Sequence, residues 1–230
     1  MAVKPLEAAG IVDQASYALL SLEQACAFYP QGDPVHGFDH VLRVLRLVQH
    51  IGPLEGADMV LLETAALLHD IARAEEKESG GCHATLAAQR VPAILAGHPV
   101  GAVQAIAEAI RTHRFRANAV PQTLEARILY DADKLDAIGA VGIARAYAMA
   151  GQHDQPLWAE VGIEYAQRAR QAGQADLVRQ GHTPVHEYVF KLARVKDTLF
   201  TDTAKAIAAE RHAYMAVFFD RLELEMRGEL

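Results

Sequence analysis

Three places along the chain present side chains of the kind that bind divalent cations. The first is His40, within His36-Gly37-Phe38-Asp39-His40-Val41-Leu42-Arg43-Val44. The second is the adjacent pair His69-Asp70, at the end of an apolar run. The third is Asp133, inside the acid-rich stretch Tyr130-Asp131-Ala132-Asp133-Lys134-Leu135-Asp136. Two imidazoles and two carboxylates make a mixed nitrogen and oxygen donor set, suited to Mn²⁺, Fe²⁺, Co²⁺, Ni²⁺, Zn²⁺ or Mg²⁺. Positions left over for water or substrate are what separate a catalytic ion from a closed structural one. An imidazole beside a carboxylate at the inner end of an apolar helix is costly unless something satisfies both. Adjacent helical residues point about 100° apart, so His69 and Asp70 can share an ion only near the helix end, with other segments closing the site.

The elements that must position these residues read as helices. Leu61, Leu62, Ala65, Ala66 and Leu68 recur at helical spacing over roughly Met59 to Leu68, a core helix that delivers His69-Asp70. Asp39 is expected to cap a helix through Ile51, with Val41, Leu42, Val44, Leu45 and Val48 apolar and Gly52-Pro53 stopping it. Gly10 to Tyr29 carries another apolar stripe, from Ile11 to Cys26. Ala72 to Gly81 reads as a charged loop. His83 to Leu95 is helical, with Pro92 expected to kink or restart it. Pro99 opens a helix over Val100 to Thr112, and Pro121 opens the one bearing Asp133. The small-residue run Ala137 to Ala150, interrupted by Arg145, reads as a tightly packed internal helix. Gln152 to Pro156 and Gln171 to Thr183 read as loops, and Val185 to Leu199 as a helix. Thr201 or Asp202 caps a terminal helix to about Met226. No segment alternates at period two, and no repeat or composition shift marks a boundary. The expectation is one all-α domain over residues 1–230, a helical bundle with the metal site between core helices.

Composition narrows the partners. Of 230 residues, 51% are hydrophobic and 22% charged, with Lys+Arg 22 against Asp+Glu 29 and a formal net charge of −7. That balance argues against a broad surface for polymeric nucleic acid or anionic membrane. It leaves room for a small phosphorylated substrate, because a bound cation supplies local positive charge. Two cysteines, Cys26 and Cys82, are too few for a disulfide framework. With no signal pattern in Met1 to Gly10 and no run near ~20 apolar residues, a cytoplasmic protein is expected. The oligomeric state stays open.

The arrangement His…His-Asp…Asp in an all-helical chain resembles the HD-domain metal-dependent phosphohydrolases. The segments HGFDHVLRV, ALLHDIA, AEAIRTHRF, ILYDADKLDAIGAVGIARAYAMAG and KLARVKDTLFTDTAKAIAAERHAYMAVFF are similar to small stand-alone bacterial HD proteins of the YpgQ and YedJ kind. The likeness spans about Asp33 to Leu224. It implies metal ligands at His40, His69, Asp70 and Asp133, with Asp70 also orienting the attacking water or bridging to a second ion. It implies one divalent cation, Mn²⁺ foremost, with Mg²⁺, Ni²⁺, Co²⁺, Fe²⁺ and Zn²⁺ as alternatives and a second cation left open. Asp131 and Asp136 are expected to orient a ligand histidine or pair with Arg43 or Lys134.

His36, Arg43, His83, His113 and Lys191 are the candidate substrate contacts. His83 begins a helix, where free N–H groups favour an anion. His113 ends one beside Arg114 and Arg116. Both could hold phosphate oxygens, or both could bind a second metal, since six-ligand patterns occur among two-metal HD proteins. Lys196 and Arg145 are further cations in matching segments. One departure stands out. Several HD nucleotidases carry a Glu three residues after the His-Asp aspartate, and here that residue is Arg73, with Glu75 and Glu76 behind it. The expected activity is hydrolysis of a phosphoester or phosphoanhydride in a small nucleotide, such as a nucleoside triphosphate giving monophosphate and pyrophosphate. A di-iron oxygenase and a non-catalytic nucleotide-binding module are the competing readings.

Overall fold

A computed structural model describes residues 17–29, 37–114, 120–162 and 182–230. Among them there is no strand. The helices are α1 (Leu22–Cys26), α2 (Phe38–Glu55), α3 (Met59–Leu68), α4 (Arg73–Ser79), α5 (His83–Ile94), α6 (Val100–Thr112), α7 (Leu124–Leu135), α8 (Gly139–Gln152), α9 (Pro184–Phe190) and α10 (Asp202–Arg227), with a 3₁₀ segment at Leu192–Asp197.

Helix α3 is the hub. Asp58 caps it, its carboxylate accepting from the N–H groups of Val60 and Leu61, and every residue from Leu62 to Leu68 is buried. It packs on α2, α6 and α7. A helix enclosed on all sides has no reason to be amphipathic, which accounts for its nearly unbroken apolar sequence. Helix α2 instead buries one stripe, Val41, Val44, Leu45, Val48 and Ile51, against it. Helix α10 closes the bundle over α7 and α8. Its N-cap, Thr201, is tied down by Asp131 of α7, whose carboxylate accepts from Phe200 N–H, Thr201 N–H and the Thr201 hydroxyl.

Several boundaries differ from the sequence expectation, each for a local reason. Gly37, not Asp39, caps α2, and Asp39 sits in the first turn, paired with Arg43 one turn on. Pro53 does not stop α2. It lies in the last turn, and Gly56, at φ +79°, closes the helix by donating to the Gly52 carbonyl. Pro92 likewise falls in the last turn of α5 without restarting it. Residues 17–20 are not helical; the N–H groups of Tyr17 and Leu19 donate to Glu63 and the Thr64 hydroxyl of α3. The earlier part of that stripe lies outside the described residues. The charged stretch after Asp70 is a helix, α4, with no buried residue and therefore no apolar stripe to betray it. Val185 to Leu199 divides into α9 and the 3₁₀ segment. Helix α8 is buried only at Gly139, Gly142, Ile143 and Ala150, so close packing applies to one side. That side is tight: a Cβ on Gly142 would lie 2.2 Å from the Ala137 carbonyl oxygen. Most of the loop expected at Gln171 to Thr183 lies outside the described residues.

Candidate metal centre

Four imidazoles form a continuous arc in the core. His40 is on α2, His69 ends α3, His83 opens α5 and His113 ends α6. Ring centroids are 5.3 Å apart for His40–His69, 5.2 Å for His69–His113 and 5.3 Å for His83–His113. All four rings are at most 1% exposed. Their outer nitrogens are held from behind. His69 Nδ1 donates to the Ala66 carbonyl at 2.8 Å and His113 Nδ1 to the Ile110 carbonyl at 2.6 Å. His40 Nδ1 meets Asp136 Oδ2 at 2.7 Å and His83 Nδ1 meets Glu76 Oε2 at 2.8 Å. A neutral ring that donates through Nδ1 turns an Nε2 lone pair inward. The Nε2 atoms of His40 and His69 are 3.3 Å apart, as are those of His83 and His113.

Asp70 lies at the middle of the arc. Its Oδ2 is 3.6 Å from the Nε2 atoms of both His40 and His69. Its Oδ1 is 3.3 Å from His83 Nε2 and 3.6 Å from His113 Nε2. Asp133 Oδ1 completes the first group, 3.4 Å from His40 Nε2. Two sets of donor atoms result, His40, His69 and Asp133 in one and Asp70, His83 and His113 in the other, each within 4.8 Å of one another. Asp70 Oδ1 is buried and accepts no hydrogen bond. An orphaned carboxylate oxygen facing imidazole lone pairs is unfavourable in a protein interior and is what a divalent cation relieves. The Asp70, His83 and His113 group therefore fits a metal, and the donor atoms of His40, His69 and Asp133 are assembled beside it, with Asp70 Oδ2 3.6 Å from both rings.

The electrostatics agree. Burial opposes ionisation of Asp70, but His69 and Arg73 outweigh it and hold the carboxyl well below its usual value. Asp133 behaves alike, burial being overcome by Lys134 and His40. Burial lowers His69 from 6.5 to about 4 and His83 to about 3, so both rings stay neutral and ready to donate. His40 goes the other way. Burial lowers it, but hydrogen bonds to Asp133 and Asp136 prevail and raise it, so a proton competes for that ligand.

The remaining candidates fall in various places. Asp136 accepts from His40, from Arg43 Nε at 2.7 Å and from Arg145 Nη1 at 2.8 Å. Arg43 is also bound to Asp39, so its guanidinium stands behind His40, engaged with carboxylates. His83 and His113, read from the sequence as phosphate contacts or as ligands of a second metal, are enclosed with their Nε2 atoms facing Asp70 Oδ1. Lys191 pairs with Glu187 on α9 and is half exposed. His36 lies outside the described residues. Arg73 donates from Nε to Asp70 Oδ2 at 2.9 Å. Two residues noted in the sequence, Glu76 and Arg114, take roles that were not expected of them. Glu76, expected on a solvated loop, holds His83 and pairs with Arg114. Arg114 also brings Nη1 within 3.0 Å of His83 Nδ1. The signal that could have found them is the Arg73/Glu76 spacing of one helical turn just before Gly80-Gly81.

The chain is similar to known proteins over most of its length. The HD domain model matches residues 37–138, the segment that holds all four imidazoles, Asp70 and Asp133. YpgQ of Bacillus subtilis is 34% identical over 199 residues, covering 84% of this chain and 85% of that protein. The crystal structure of YpgQ in complex with ADP superposes with a TM-score of 0.63 at 26% identity, covering 89% of this chain and 92% of that one. A predicted HD superfamily hydrolase from an uncultured Thermotogales bacterium gives a TM-score of 0.62 at 28% identity, over 89% and 90% of the two chains. With the donor set, the all-helical frame and these likenesses together, the chain belongs to the HD domain family.

Proposed function

We propose that this protein is a metal-dependent phosphohydrolase acting on a small phosphorylated substrate, a nucleotide cleaved at a phosphoanhydride or phosphoester. The observation that carries this is Asp70, which turns one oxygen to each of two imidazole pairs while Arg73 holds it from the side. His40, His69, Asp70 and Asp133 would hold a divalent cation, with Mn²⁺ foremost. A cation bound there supplies a lowered pKa for a coordinated water and charge to offset a phosphoryl oxygen. The chain does the rest by positioning. Asp136 and the Ala66 carbonyl fix the ring orientations of His40 and His69. Arg73, permanently charged, cannot take a proton from water, so it serves to hold Asp70 ionised and aimed. Glu76 is kept below the usual carboxylate range, burial being outweighed by the Arg114 hydrogen bond and His83, so it braces rather than donates a proton. His36, Arg43 and Lys191 remain proposed substrate-side residues, acting through positive potential or direct contact. The choice of a nucleotide draws support from YpgQ, which was crystallised with ADP. Helices outside the HD match are bonded into it through Asp131 and Thr201, which supports treating residues 1–230 as one unit.

The test is a panel of nucleoside di- and triphosphates, a cyclic dinucleotide, single-stranded DNA and a generic phosphomonoester, assayed with several cations and with chelator. Hydrolysis of the nucleotides, abolished by chelator and restored by Mn²⁺ more than by Ca²⁺, is expected. His69→Ala and Asp70→Ala should lose bound metal and turnover together with helical content intact. Preferential cleavage of the polymer or of the monoester alone would overturn the nucleotide reading. The enclosure of His83 and His113 favours one competing reading, a di-iron oxygenase. Two irons per chain with an oxo-bridge absorption band, and no phosphate release, would establish that instead.

A further inference from the structure

The two donor sets are unequal in charge. The first has a carboxylate of its own, Asp133, besides the shared Asp70, and Asp136 stands directly behind His40. Its neighbouring cations are Lys134 on Asp133, and Arg43 and Arg145 on Asp136, with Asp39 also on Arg43. Leaving out the shared Asp70 and the Arg73 bonded to it, Asp133, Asp136 and Asp39 balance three cations, and Asp133 is a ligand charge that belongs to this set alone. The second set has no carboxylate of its own. Only Asp70 Oδ1 faces it, Glu76 being behind His83. Arg114 balances Glu76, and Arg73, bonded to the shared Asp70 through Oδ2 and 3.6 Å from Glu76, borders the set as a further positive charge. Once a dication occupies the first position, the charge of Asp70 is already committed. A second dication would then enter against both the first ion and Arg73.

The missing ingredient is negative charge from outside the chain. A di- or triphosphate supplies several charges at once. We propose that the Asp70–His83–His113 position takes a divalent cation only together with a polyphosphate anion, and that Arg73 is the residue that imposes this order of filling. The buried Oδ1 of Asp70, without a hydrogen-bond partner, is aimed into that position and marks it as a binding site rather than a packing accident. Arg73 can act this way because it is one helical turn from Asp70 and bonded to the other oxygen of the same carboxylate, at 2.9 Å. The nucleotide as the physiological source of the anion rests on the function proposed above. The order of filling holds for any polyphosphate.

The experiment measures Mn²⁺ stoichiometry by equilibrium dialysis and the exchange-coupled Mn²⁺ pair by electron paramagnetic resonance. Wild-type protein should bind one Mn²⁺ per chain alone, and a coupled pair with a non-hydrolysable nucleoside triphosphate analogue or with pyrophosphate. His83→Ala should show no coupled pair under any condition, which separates ion at this position from ion carried on the nucleotide. Arg73→Gln should form the pair without any anion, its second Mn²⁺ bound about tenfold more tightly. Arg73→Lys, which keeps the charge, should behave as wild type. Arg114→Gln gives a second variant with the same expected direction should Arg73→Gln fold poorly. A merely structural role for Arg73 would weaken metal binding on substitution, not strengthen it. Recruitment by pyrophosphate but by no nucleotide would support the order of filling and count against the nucleotide substrate. A tight pair in wild-type protein without anion, no pair with either anion, or an unchanged second affinity in both Gln variants would overturn the proposal.

Discussion

Asp136 Oδ2 lies 2.7 Å from His40 Nδ1, joining residues 96 positions apart in the chain. Through this one contact α2 and the end of α7 jointly decide where the inner nitrogen of His40 points. The carboxylate also receives Arg43 and Arg145, so it cannot turn away from the ring.

Asp136→Asn keeps the shape and removes the charge that orients His40. The expected result is a loss of metal affinity of about 10- to 100-fold with helical content retained. Titration with Mn²⁺ measures it. Affinity equal to wild type would mean that the ring is held by its packing alone.

Asp131 and Asp133 are two residues apart and do different work. Asp131 holds the start of α10 through three hydrogen bonds, while Asp133 faces the imidazoles. Asp131→Ala should cost about 2–4 kcal/mol of stability, because the buried N–H and hydroxyl of Thr201 and the part-buried N–H of Phe200 lose their acceptor. Metal bound per folded chain should be unchanged. Asp133→Asn should do the reverse. Denaturant unfolding beside metal analysis distinguishes them, and matching losses in both variants would defeat the division.

Two glycines in helices differ sharply in surroundings. A Cβ on Gly142 meets the Ala137 carbonyl at 2.2 Å, whereas one on Gly101 meets nothing within 4 Å. Gly142→Ala should destabilise by about 1–3 kcal/mol or more, since backbone must shift. Gly101→Ala should stabilise by about 0.5–1 kcal/mol, as alanine does in an open helical position. Equal unfolding midpoints for the two variants would show that the Ala137 turn yields easily.

His186, on α9, is buried, and burial together with His182 lowers its pKa from 6.5 to about 4. The folded chain therefore refuses a proton that the unfolded chain accepts. The stabilisation is complete above pH 6.5 and is lost as the pH falls from there towards 4. Thermal unfolding of chelator-treated protein should show a pH slope in that window that is shallower in His186→Phe. Superimposable slopes would mean that His186 titrates alike in both states.

The helices were legible wherever one face or the whole of an element is apolar. The stripe of α2, the unbroken run of α3 and the Pro99 start of α6 are local facts, set by residues three and four apart. Where no residue is buried the pattern disappears, and α4 was hidden for that reason. With it went Glu76, whose distance from His83 along the chain conceals that the two side chains touch. The stretch at Tyr17 to Leu20 misled in the opposite sense. It has an apolar stripe, but Glu63 and Thr64 claim its backbone N–H groups before a helix can.

By itself the sequence determined an all-helical chain and marked His40, His69-Asp70 and the acid-rich stretch at Asp131 to Asp136 as candidate donors, because donor chemistry and helical spacing are both carried by residue type and order; the choice of Asp133 came from the family resemblance. The chain's net charge of −7 also set the expectation of a small partner rather than a polymeric nucleic acid. Only the tertiary structure decided that His83 and His113 turn inward to the second oxygen of Asp70, and that Arg73 holds the first. A helix end can point a histidine to solvent or to the core with the same sequence. Which occurs depends on how α5 and α6 cross the end of α3, a matter of long-range packing that no local pattern records.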